Sequence, residues 1–271
     1  MTEVVQATPA TKTLVAPRSL KRRAIDLAIT AGVIAILAYA WHDTGASINA
    51  LVSGFHNTIA LMKRAVPPDW SVLRDSIHAS ILTFISALLG TAGAFLISIL
   101  LTPLAARNIT PHRVLYELSR AVLGIARTIP LWVSGLLFLV TVGISPFAGV
   151  LALALETVGV LTKLYAEAIE EMDMGPVDAL RVSGATRTQV FLHGVLPSVA
   201  TTFVGLVIYR MDSNVRSALV LSAFGAGGLG FLLFNSIELF QWPQVLTELI
   251  VMFVLVLIVE RASILIRSRI S

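Results

Sequence analysis

The sequence contains no cysteine. That excludes a disulfide framework, a thiolate metal centre and a cysteine nucleophile. Charge is scarce as well. Asp, Glu, Lys and Arg make up 13% of the 271 residues, against roughly 25% in soluble domains. The histidines, at positions 42, 56, 78, 112 and 193, are scattered and form no H-x-x-x-H pair, so no metal site is expected. No G-x-x-x-x-G-K-[ST] loop occurs, and a chain without one has no ATP-hydrolysing site of that kind. There is no nucleophile–base pair, no carboxylate cluster and no convincing internal repeat. The missing repeat speaks against a secondary transporter, a class built from repeated halves and paired broken helices. A net charge of +4 is weak evidence for nucleic acid, and no nucleic-acid partner is expected.

What is present is apolar: 56% of residues are hydrophobic and the mean hydropathy is +0.85. A hydrocarbon core of about 30 Å takes roughly 20 apolar residues per helix. The length therefore accommodates five or six spans and no large soluble domain. Residues 1–23 read as a cytoplasmic tail closed by Lys21, Arg22 and Arg23, and 24–271 as the membrane domain. The first span ends at Trp41. A basic stretch, an apolar run and Ala38-Tyr39-Ala40 would also describe a signal peptide. In 46–62, Ile48, Leu51, Val52, Phe55, Ile59 and Met62 share one helical face, as in a helix lying on the outer membrane surface or packed on the bundle. The remaining spans are read at 77–101, 116–142, 147–161, 198–221 and 245–264. Ser86, Gly90 and Ala94 form a small-residue seam in the second. Basic residues concentrate on one side of this order (Arg107, Arg113, Lys163, Arg181, Arg187, Arg267, Arg269) and only Lys63, Arg64 and Arg74 lie on the other. By the positive-inside rule both termini are cytoplasmic. The fold class is an all-α membrane protein of about six transmembrane helices.

The longest polar interruption, about 163–197, is a cytoplasmic loop in this topology. Pro176 and Asp178 suit a helix start, Ser183-Gly184 a helix end, and Thr186 the cap of a second helix over 187–193. Pro197 opens the next span. Within it, Asp178-Ala179-Leu180, then Arg181 to Ser183, then Gly184, then Ala185 to His193, then Gly194-Val195-Leu196-Pro197 resembles the EAA motif of ABC-transporter permease subunits. Asp replaces Glu, Leu180 replaces the second Ala, and Gly194 replaces the aliphatic. The strings LAARN (104–108), RTIP (127–130), SPFAGVLALAL (145–155) and NVRSALVL (214–221) are similar to the phosphonate-type permeases, over roughly Val66 to Arg261.

This resemblance implies a type I importer fold whose loop is a coupling helix docking on a separate ATPase, with Asp178, Ala179, Leu180, Arg181, Gly184, Ala185, Leu196 and Pro197 as coupling residues. The implied cargo is a phosphonate, phosphite or phosphate oxyanion. An amino acid or other small solute, and secondary transport, are the alternatives. Implied partners are a second copy forming a homodimer, two cytoplasmic ATPase subunits, an extracytoplasmic solute-binding protein and membrane lipid, in the plasma membrane. No cofactor is expected on this chain, and ATP-Mg is expected on the ATPase.

Ionisable residues within spans cost about 2.5–3.5 kcal/mol each at mid-membrane. They are Arg120, Arg127, Glu156, Arg210, Asp212 and Arg216, with Asn214 beside them. Bases outnumber acids, as an anion path requires, and the Arg fork suits a tetrahedral oxyanion. Arg127, Glu156, Arg210, Asp212, Asn214 and Arg216 are the candidate substrate path. The structural alternative pairs Asp212 with Arg216 at i, i+4 and Arg127 with Glu156. Arg120 and Glu117 read as interface residues near the cytoplasmic end. GAGGLG (225–230) matches a dinucleotide-binding pattern only literally; between two spans it reads as a sharp backbone turn re-entering against the bundle.

Overall fold

The computed structural model describes residues 20–45 and 47–270. Most of the expected tail, through position 19, lies outside the described residues, and from Leu20 onward the backbone is already helical. The described residues form helices and turns, with no strand among them. They group into two compact units divided after Ala60. The first holds α1 (Leu20–Asp43) and most of α2 (Ile48–Ala65). In α2 the expected amphipathic helix runs one turn further than its apolar pattern, so that Lys63 and Arg64 sit in its last turn.

The second unit is built around α3 (Leu73–Ala105) and α6 (Pro146–Glu171). The buried face of α3 consists of small residues, among them Ala79, Thr83, Ala87, Gly90, Thr91 and Ala94. In lipid, where apolar surface alone does not drive helices together, such residues let backbones approach and gain dispersion contacts. A Cβ on Gly90 would lie 2.9 Å from the Leu153 Cβ and 3.2 Å from the Val150 carbonyl oxygen. The missing side chain of Gly90 therefore permits the close contact of α3 with α6 at this point. At one end, Asp69 N–H donates to the Pro243 carbonyl (3.1 Å) and Thr247 Oγ1 to the Asp69 carbonyl (2.8 Å), joining the start of α3 to α11 (Trp242–Ile270).

The expected third span, 116–142, is not a straight helix. It is broken into α4 (Arg113–Thr128) and α5 (Leu131–Val142), bent by 87°. Pro130 has no N–H to donate, and its ring pushes the preceding residue out of the α region. Ile129 is accordingly extended (φ −72°, ψ 117°). Among the described residues five helices are long and apolar enough to cross a membrane, or six crossings if the bent pair counts as one.

The expected helix over 187–193 is also different. Thr186 caps it as foreseen, in a reciprocal box with Gln189. However, α8 (Arg187–Val190) is only one turn, and it passes through a wider π turn at Phe191–Val195 directly into α9 (Leu196–Leu221). The glycine run then turns the backbone: Gly225, Gly227 and Gly228 have φ of 101°, 69° and 92°. Leu229 N–H donates to Thr83 Oγ1 (2.9 Å) and Gly230 N–H to Ser222 Oγ (3.0 Å). The chain re-enters as α10 (Leu229–Glu238), too short to span, packed back against α9 and α3.

Candidate functional site

Three helices meet around Asn214, which is fully buried. Its Nδ2 donates to Thr91 Oγ1 on α3 (2.8 Å) and Thr157 Oγ1 on α6 (2.9 Å). One turn earlier on α9, Arg210 Nη2 donates to Glu156 Oε2 (3.0 Å), Asn214 Oδ1 (3.3 Å) and Thr157 Oγ1 (3.4 Å). Arg210 is 7% exposed, and its Nε is buried with no partner.

The sequence-level pairing of Arg127 with Glu156 is thus not the one formed: Glu156 belongs to Arg210. Asp212 and Arg216 pair as the i, i+4 spacing foretold. Arg216 Nη1 donates to Asp212 Oδ1 at 3.2 Å, and Nη2 to Oδ2 completes a two-pronged contact. The Arg216 side chain is 47% exposed and that of Asp212 10%. Arg127 stands apart from both groups. It is exposed, and it lines a cavity of about 150 Å³ with Arg120, Leu123, Gly124, Gly159 and Lys163. Arg120 is bound on the other side, by Glu170 (3.0 and 3.2 Å) and the Ala105 carbonyl (3.2 Å). Thr91 and Thr157 complete the buried network without having been singled out. A threonine hydroxyl in a membrane helix ordinarily bonds the carbonyl one turn back, as Thr91 also does to Ala87 (2.7 Å), so nothing in the sequence marks it.

The polar loop forms a second site. Helix α7 (Gly175–Val182) begins with Pro176 in its first turn, carries Asp178 there, and ends at Ser183. Gly184 follows with φ 80°. Val177, Val190 and Val195 point inward, into a core with Tyr165, Ile169 and Ala106. Asp178, Ala179, Arg181 and Gly184 face outward, Leu180 and Ala185 are half-buried, and Val182 is 90% exposed. Arg181 bridges Asp178 (3.2 Å) and the Asn108 carbonyl (3.4 Å). Two of the three departures from the motif, Leu180 and Gly194, meet in space. A Cβ on Gly194 would lie 2.9 Å from Leu180 Cδ1, so the larger residue at one position occupies the volume vacated at the other.

Residues 94–271 match the family model described as "Binding-protein-dependent transport system inner membrane component". The chain is 37% identical over 238 residues to the phosphite transport system permease protein PtxC of Stutzerimonas stutzeri, covering 88% of this chain and 86% of that protein. It is 38% identical over 221 residues to the phosphate-import permease protein PhnE of Mycolicibacterium smegmatis, covering 80% of this chain and 41% of that protein. Among solved structures it is similar to a chain of the MetNI methionine ABC transporter in an inward-facing conformation. That match has a TM-score of 0.63 at 23% identity and covers 76% of this chain and 99% of that one; it speaks to fold alone.

Proposed function

The chain belongs to the family of binding-protein-dependent transport system inner membrane components, and from that premise we propose how it carries a phosphorus oxyanion across the plasma membrane. It is the permease subunit of an ABC importer for anions of the phosphite, phosphonate or phosphate class, and the ATPase is a separate subunit. The observation that carries the mechanism is the arrangement of cations in the bundle. Arg210 is held by Glu156 and Asn214, while Arg216 and Arg127 keep exposed guanidinium groups. Exposed charge at membrane depth does not face hydrocarbon; it faces water or protein. We assign this face to a pore between two copies of the chain, with Arg216 and Arg127 meeting the anion directly. Arg210, Glu156, Asn214 and Asp212 set the positions of those groups and the local field.

The loop around α7 is the docking element for the ATPase, and ATP-Mg binds on that partner subunit. Its outward Ala179 and Val182 offer apolar contact, and its inward valines pass movement to α9. Both termini are cytoplasmic, and a binding protein delivers the anion from outside. Cells lacking only this permease test the reading. Restoring the gene should restore uptake of radiolabelled phosphite, phosphate or a small phosphonate. Restored uptake of methionine with none of the three phosphorus anions would refute it.

A further inference from the structure

The cationic face of α4 is not accounted for by the mid-membrane cluster. Arg113, Glu117, Arg120, Gly124 and Arg127 recur at steps of four, three, four and three, which places them on one face of the helix. Over that interval the helix rises about 21 Å. Exposed Val114, Leu118, Val122 and Ile125 occupy another face, as a lipid-facing stripe would. The polar face borders two cavities in succession. The smaller, about 150 Å³, contains Arg120, Arg127 and Lys163. The larger, about 470 Å³, contains Arg107, His112, Arg113 and Glu117.

Acidic groups answer only part of this charge. Glu170 binds Arg120 (3.0 Å), Glu167 binds Lys163 (3.4 Å) and approaches Arg120 (4.0 Å), and Glu117 lies 3.8 Å from Arg113. Glu170 also accepts from the Arg107 backbone N–H (2.8 Å), but among the described residues no carboxylate lies within 4.0 Å of the guanidinium of Arg107 or Arg127. The uncompensated cations therefore sit at the two ends of the row, one at each cavity. The Arg113–Glu117 and Lys163–Glu167 pairs are solvated, and solvated pairs are worth about 1 kcal/mol or less, so an incoming anion can replace those carboxylates at little cost; the two-pronged Arg120–Glu170 pair is the firmer one. A row of weak stations separated by exchangeable pairs suits conduction, where each site must bind firmly enough to fill and loosely enough to empty.

We propose that this face of α4 is the exit track of the permease. A phosphorus oxyanion leaving the mid-membrane cluster is taken by Arg127 and Lys163, passes Arg120, and is released at Arg107 and Arg113. The assignment rests on the oxyanion reading and on the loop side being cytoplasmic. An anionic lipid headgroup carries the same phosphate chemistry, and the test separates the two sources.

The native chain has no cysteine, and a Cβ at Gly124 meets nothing within 4 Å, so Gly124→Cys adds the chain's sole thiol where there is room for it. The complete complex, in phosphatidylcholine proteoliposomes, is treated with a sulfonate or a quaternary-ammonium thiol reagent, and the permease polypeptide is read separately. The sulfonate should react at least about 10-fold faster, as expected of a cleft that focuses one sign of charge. Millimolar inorganic phosphate should slow it several-fold. Arg127→Gln should abolish the preference, and Val122→Cys should stay unreactive. Equal rates for the two reagents, or an unreactive Gly124→Cys, overturn the proposal. So does protection by phosphatidylglycerol with none by phosphate, since the track would then be a lipid site. Labelling needs no transport. A complex that fails to take up any phosphorus anion yet labels in the expected pattern would sink the substrate reading and leave the anion track standing.

Discussion

Arg210 and Arg216 carry the same charge in different situations, and substitution should separate them. Arg210 spends its guanidinium on three partners from two helices. Lysine keeps the charge beside Glu156 but lacks the planar fork. Arg210→Lys should therefore be less impaired than Arg210→Met, in which Glu156 loses its counter-ion. The Met variant should lose roughly 10- to 150-fold in uptake, the equivalent of about 1.5–3 kcal/mol for a charge-assisted bond, when normalised to inserted protein. Near-normal uptake by Arg210→Met would remove Arg210 from the path. Arg216→Met leaves the nearly buried Asp212 carboxylate without its cation, so the protein should insert poorly. Adding Asp212→Leu should restore insertion, since an ion pair replaced by apolar residues of similar size is often neutral. Uptake should stay low because the exposed guanidinium is gone. Recovery of uptake in the double variant would show that Arg216 serves only as the partner of Asp212.

At the scale of elements, two glycines of the coupling loop make distinct predictions. Gly184 has φ 80° and open space where a Cβ would go, so the harm in Gly184→Val comes from backbone strain alone. Asparagine visits this region more readily than other residues. Gly184→Val should insert normally yet uncouple ATP hydrolysis from uptake, and Gly184→Asn should stay close to wild type. Equal, normal uptake by both would refute the coupling role. Gly194 is constrained by volume instead. Gly194→Val should overpack against Leu180 and cost about 1–3 kcal/mol, seen as a lowered Tm in detergent. Leu180→Ala in the same chain should recover most of it. A purely additive loss would show that the two positions do not compensate.

The same elements mark how far the sequence could be read. The loop was legible because its signals are local: Pro176, Asp178, Gly184 and Thr186 act on their own backbone within a few residues. The sharp turn at Gly225–Gly230 was legible for the same reason. The bend at Ile129-Pro130 was missed because 116–142 has the length of a single span, although Pro130 was in plain view. The partner of Glu156 could not be read at all. Arg127 and Arg210 are equivalent in sequence. The choice between them depends on how α6 lies against α3 and α9, which buried Gly90, Thr91 and Ala152 settle by close contact.

For the whole molecule the predictions concern sidedness and assembly. Ser183 and Gln241 are both exposed, in the coupling loop and in the turn between α10 and α11 respectively. A cysteine at Ser183 should react with an impermeant reagent only from the cytoplasm, and one at Gln241 only from outside. Reversed labelling would refute the topology. The pore requires a second permease subunit, and two differently tagged copies of this chain should co-purify with the ATPase. A pair made of this chain and a different permease would replace the homodimer and leave the path residues of this chain as assigned.

The central claim is that this chain passes a phosphorus oxyanion under the drive of a separate ATPase. Its most direct test is uptake of radiolabelled phosphite and phosphate into proteoliposomes holding the purified permease, ATPase and binding protein. Accumulation should require ATP and the binding protein, persist after ion gradients are collapsed, and fall to background in Gly184→Val while ATP is still hydrolysed. Accumulation that follows an imposed ion gradient and ignores ATP would contradict the account.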